Sequence, residues 1–155
     1  MSSPQRVGRD DVNGRDLFVL DLPTAQDLPD TLKLASPKFA CLVAWDASGA
    51  TVEEVSRVVR KLLDAGAVYC CVGGPDCERV HDIIDEEAVG SDPDPVDDSV
   101  VMTTWHSSEP LPQAILFAIE LALPDETYIN DCRATIGISI GSTAWAEEIR
   151  LAFSS

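Results

Sequence analysis

The sequence predicts an α/β fold: a three-layer sandwich with a mostly parallel sheet of about five strands, flavodoxin-like or Rossmann-like in arrangement. Three observations carry this expectation. Short apolar runs of strand length recur along the chain, most are followed by segments whose apolar residues return every three or four positions, and turn or capping residues stand at the junctions. Strands alternating with helices in this way favour parallel pairing through right-handed crossovers. The 155 residues are enough for one domain whose core needs no disulfide or metal.

The first fifteen residues are polar, lack the apolar centre of a signal peptide, and are expected to form a flexible segment before a single domain over 16–155. DLFVLDL (16–22) reads as a buried strand ended by Pro23 and Thr24; Thr24 is placed to cap a short turn, and Pro29 prevents one long helix after it. KFACLVAWD (38–46) is a second strand. In TVEEVSRVVRKLLDAG (51–66), Thr51 and Glu54 have the spacing of a capping box, Val55, Val58, Val59, Leu62 and Leu63 share one face, and Gly66 supplies the stop, so this segment reads as an amphipathic helix.

AVYCCV (67–72) is a third strand, followed by Gly73, Gly74 and Pro75, with Asp76 placed to cap the next helix. On that helix Cys77, Val80, His81, Ile84 and Ala88 fall on one side, opposite Glu78, Arg79, Asp82 and Glu86. GSDPDPVDD (90–98) reads as an acidic loop, because its prolines and aspartates suit neither helix nor strand. SVVMTTW (99–105) is a fourth strand, and Ser107 or Ser108 is placed to cap a helix over 110–123 that is apolar almost all round. CRATIGISIG (132–141) alternates Ile136, Ile138 and Ile140 with small residues, as a strand buried mainly on one face and suited to a sheet edge does. STAWAEEIRLAF (142–153) closes the chain as an amphipathic helix through Trp145, Ile149 and Phe153.

There are 27 acidic residues against 11 basic ones, a formal charge of −16. Free nucleic acid is excluded as a partner on this ground, because phosphate binding needs a basic face. A membrane span is excluded too: the longest apolar run, AILFAIELAL (114–123), is too short to cross a bilayer and is interrupted by Glu120. Five irregularly spaced cysteines, an odd number, predict reduced thiols and a cytoplasmic location. A strongly acidic surface steers a basic protein partner. A high-GC or salt-adapted proteome yields the same composition with no partner at all.

In open parallel sheets, ligands bind beyond the carboxyl ends of the strands. Cys77, His81, His106 and Asp46 are the candidate catalytic residues of such a site: a thiol at a helix N-terminus beside an imidazole gains thiolate character, and a carboxylate can orient the base. Trp45, Asp76, Trp105 and Glu109 are the candidate binding residues. The structural alternative is that Cys77 is a small buried residue and His81 a hydrogen-bonded core histidine on the same apolar stripe. No metal or cofactor is expected. Cys77 and His81 supply two ligands with no second pair at a recognised spacing, GGPD lacks the dinucleotide glycine pattern and the P-loop lysine, and the aspartates of 90–98 lack EF-hand spacing.

The segments GGPDCERVHDIIDEE (73–87) and TTWHSSEPLPQAI (103–115), with their acidic helical surroundings, resemble an uncharacterised family of small acidic bacterial α/β proteins of unknown function over roughly residues 38–141, with Gly73 where that family's pattern has a tryptophan. The resemblance implies a bacterial source and a single α/β domain, and brings no catalytic residues with it. The function expected from charge and the lack of a catalytic motif is a non-enzymatic cytoplasmic protein-binding module, such as an immunity or antitoxin-like protein, with an acidic face for a basic partner. The alternative is a small hydrolase or transferase with a Cys/His site at the carboxyl ends of the strands. The apolar helix over 110–123 also leaves room for a homo-oligomer.

Overall fold

The computed structural model describes residues 3–89, 101–107 and 109–154. The expected acidic loop at 90–98 lies outside the described residues, as does Ser108. Six strands, β1 (Gln5–Arg9), β2 (Asp16–Leu22), β3 (Lys38–Trp45), β4 (Ala67–Gly73), β5 (Met102–His106) and β6 (Cys132–Ile140), form one mixed sheet in the order β1-β2-β6-β3-β4-β5. β1 runs antiparallel to β2, and all other pairs are parallel. Among the described residues four α-helices cover the two faces: α1 (Val52–Ala65) and α2 (Cys77–Val89) on one, α3 (Leu111–Glu120) and α4 (Thr143–Ser154) on the other.

Local chemistry accounts for most of these elements. The Thr51 hydroxyl accepts from the Glu54 N–H at 3.1 Å to start α1, and Gly66, at φ 117°, ends it by donating its N–H to the Leu62 and Leu63 carbonyls. A Cβ at Gly66 would lie 2.4 Å from the Pro37 carbonyl oxygen, so glycine is required there by both conformation and space. Val55, Val58, Val59 and Leu62 then pack on Phe18, Leu20, Cys41 and Val43 of the sheet.

Four sequence expectations are corrected. Among the described residues the sheet has six strands where about five are expected, because Gln5–Arg9 of the polar start pairs as β1. β1 is an edge strand with little to bury, held by backbone pairing to β2 and by an Arg6–Asp16 ion pair, and so carries no apolar signal. The strand order is neither flavodoxin-like nor Rossmann-like, since β6 inserts between β2 and β3. Nor is β6 an edge strand: its alternation separates two buried faces. Ile136 and Ile138 join the core beneath α1 and α2, whereas a Cβ at Gly137 would lie 2.4 Å from Ile149 Cγ2 of α4. Small residues stand there because a helix crosses closely, not because water does. Finally, the expected caps of α2 and α3 do not form. Asp76 takes a left-handed conformation (φ 65°) and directs its carboxylate to Arg79 Nε at 2.8 Å, and the residue preceding α3 is Pro110, with no side-chain cap.

The chain steps from β3 through α1 to β4 and through α2 to β5 along one face. It returns from β5 through α3 to β6 along the other, so both directions of travel keep the same hand. The carboxyl ends of the five parallel strands thus share one rim of the sheet, and the chain changes direction between β6 and β3.

Candidate functional site

Two cavities open on that rim. The smaller, about 100 Å³, is lined by Gly73 and Gly74 from the end of β4, by His106, Glu109 and Ala114, and by Trp145 of α4. His106 ends β5 and is buried, its side chain 5% exposed. Its Nδ1 lies 2.8 Å from Glu109 Oε2, its Nε2 lies 3.0 Å from Thr104 Oγ1, and its ring meets Phe117 of α3 with centroids 4.9 Å apart. Carboxylate, imidazole and hydroxyl therefore form one hydrogen-bonded series, the geometry in which a carboxylate orients a general base. The hydroxyl end of the series lies away from the cavity, since Thr104 is not among the residues lining it.

The turn that shapes this cavity is tightly constrained. Gly74 has φ 105°, and a Cβ there would lie 2.3 Å from the Trp45 carbonyl oxygen and 3.3 Å from Trp145 Cη2. Only glycine fits at that crossing of β3, β4 and α4.

Cys77 and His81 part company. Cys77 is fully buried in the core between α2 and the sheet. Burial pushes its thiol above the ordinary range, even though the backbone N–H groups of His106, Cys77 and Glu78 favour the thiolate. Its helix N-terminal position therefore does not make it a ready nucleophile. His81 sits at the outer shoulder of α2 with its side chain 13% exposed, 3.1 Å from Asp82 Oδ1 and 3.6 Å from Asp85 Oδ2. Its ring packs on Trp105, with centroids 4.4 Å apart. His106 and Glu109 are brought together, whereas Cys77, His81 and Asp46 occupy three separate surroundings.

The second cavity, about 270 Å³, lies at the change of direction between β6 and β3 and is lined by Thr24, Trp45, Asp46, Gly49, Glu54 and Gly141, among others. Hydrogen bonds from the hydroxyl and N–H of Ser48 hold the exposed Asp46 carboxyl below its usual range. With Asp46 and Glu54 on its walls and no cation among its lining residues, this cavity does not suit a phosphate. Trp45 is 5% exposed and belongs to the core, whereas Trp105 is 44% exposed. All five cysteines are free and buried, with Cys41 and Cys70 facing each other across β3 and β4 at 3.5 Å between sulfurs. Among the described residues no group of three or more His, Cys, Asp and Glu side chains is placed to hold a metal ion.

Sequence reasoning missed Thr104 and Trp145. Thr104 was within reach of it, since residues two apart on a strand share a face and Thr104-x-His106 places hydroxyl and imidazole together. Trp145 reaches the cavity only through the packing of α4 on the sheet.

No curated protein and no solved structure matches the chain significantly. Residues 17–155 match the family described as Domain of unknown function (DUF7684), and the chain belongs to that family.

Proposed function

We propose that the protein is a non-enzymatic binding module that engages a basic protein partner through its carboxylate-rich surface, in the manner of an immunity or antitoxin-like protein of a bacterial cytoplasm. The observation that carries this reading is the charge balance of the α1–α2 layer. Every cation on these two helices already has a carboxylate beside it: Arg57 has Glu53, Arg60 has Glu87, Lys61 has Asp30 and Arg79 has Asp76. Glu78, Asp82, Asp85 and Glu86 remain along the exposed side of α2 with no Lys or Arg partner among the described residues. Such a surface accelerates encounter with a basic protein and repels nucleic acid.

A second reading, a small hydrolase or transferase, draws on the Glu109–His106 pair beside the 100 Å³ cavity. The buried, high-pKa thiol of Cys77 and the small volume of the cavity weigh against it. The test is recovery of a partner from the native host at low salt, followed by association kinetics at rising ionic strength. A basic protein whose association rate drops by about tenfold or more on passing physiological salt supports the proposal. Recovery of no specific protein, or of one indifferent to salt, removes it.

A further inference from the structure

We propose that the groove between α3 and α4 docks an amphipathic helix with basic flanks, supplied by a partner protein. The inference goes beyond the basic-partner reading: the groove lies on the face of the sheet opposite the α1–α2 layer and is a second docking surface, with its own occupant. Ala114, Ile115 and Ala118 turn one side of α3 into the core, which leaves Leu116 53% exposed; across from it Leu151 of α4 is 63% exposed. Between them runs an open groove of about 590 Å³ with Ile115, Ile119 and Ala152 in its lining. Exposed leucines scattered singly need no explanation, but these share one concave surface.

The shape and charge of the groove select its occupant. From Pro112 to Ile119 the wall formed by α3 advances about 10 Å, two turns of a docked helix, which suits apolar anchors spaced three or four residues apart. Among the described residues the charged ones in its lining are Glu120 and Glu148, with no cation beside them. α3 carries no basic residue, and Arg150 of α4 donates to Gln5 Oε1 at 2.9 Å. A helix with lysines or arginines beside its apolar stripe complements both features. A second copy of the chain does not: it brings a charge of −16 against −16, and a two-fold pairing sets Glu120 and Glu148 against their own counterparts.

The test uses a synthetic leucine/lysine helix with leucines at helical spacing, and a scrambled peptide of the same composition, titrated into the full chain at near-physiological salt. The ordered peptide is expected to bind about tenfold or more tighter than the scrambled one. Leu116→Ser with Leu151→Ser is expected to abolish that difference, with an unchanged unfolding midpoint confirming that both exposed sites tolerate the change. Glu120→Lys with Glu148→Lys is expected to shift preference toward a leucine/glutamate helix. Equal binding of ordered and scrambled peptides, unaffected by the leucine substitutions, overturns the groove while leaving the charge-based reading in place. Binding of neither peptide also overturns the groove, while the charge-based reading stands or falls separately with the salt dependence of the recovered partner. Dimerisation of the wild type in sedimentation, lost in the leucine variant, overturns the proposal in favour of a second copy.

Discussion

The two helical layers bury apolar side chains against the same sheet, yet they finish their outer surfaces in opposite ways. Apart from Val52 at the start of α1, α1 and α2 put their large aliphatic residues of described burial against the core and cover their outer sides with carboxylates and ion pairs. α3 and α4 have more apolar surface than the sheet can cover, and Leu116 and Leu151 remain in the open. The contrast separates what the fold needs from what it does not. Val55, Val58, Val59 and Leu62 of α1 are explained by the core, whereas the outward Leu116 and Leu151 of α3 and α4 are not, and they share one groove that can serve an interaction.

The seat of α4 on the sheet is where a single substitution should cost most. Gly137→Val is expected to destabilise the protein by about 2–4 kcal/mol, because its side chain must displace Ile149 and Phe153, whereas Gly49→Ala, with open space around it, should leave the unfolding midpoint where it is. Urea denaturation of the two variants decides the point, and equal effects would mean that α4 does not seat on β6 as described. A second substitution pair contrasts the layers themselves. Leu62→Ala in α1 should cost about 2–4 kcal/mol, and Leu151→Ala in α4 less than about 0.5 kcal/mol, since Leu62 is 2% exposed and Leu151 is 63% exposed.

The buried thiols of the central strands give a pH test. Burial pushes Cys71 from 9.0 up to about 12, so the folded state holds its proton where the unfolded chain has lost it. The stability this contributes is complete below about pH 9 and declines as pH rises toward 12, by about 1.4 kcal/mol per pH unit for such a group. Denaturation under reducing conditions from pH 8 upward should show this fall, and Cys71→Ala should make it shallower. The smallest effect is expected on the charged layer. Arg60→Ala breaks an exposed pair with Glu87 and should hardly move the unfolding midpoint, least of all in high salt.

How much of this was legible follows from where each element's determinants lie. α1 reads directly from sequence, because Thr51, its valine and leucine stripe and Gly66 are local signals that agree with one another. β6 does not, since the small residues that place it centrally make sense only once α4 is packed over Gly137. β1 escaped because an edge strand with charged side chains has little apolar pattern to display. At the candidate site His106 and Glu109 were visible as residue types, but their pairing at 2.8 Å depends on the turn after β5. Cys77 and His81 share a helical side by spacing, yet the edge strand holding Trp105 gives His81 a partner of its own and separates the two.

On the proposed function, the surplus carboxylates of the α1–α2 layer draw in a basic partner. The most direct test of that reading is the association rate of the recovered partner with the wild type and with a variant combining Asp82→Asn, Asp85→Asn and Glu86→Gln, measured across ionic strength at matched stability. The wild-type rate is expected to fall steeply with salt, and the variant to be slower at low salt and flatter in its salt dependence. Identical rates and slopes for the two proteins would contradict it.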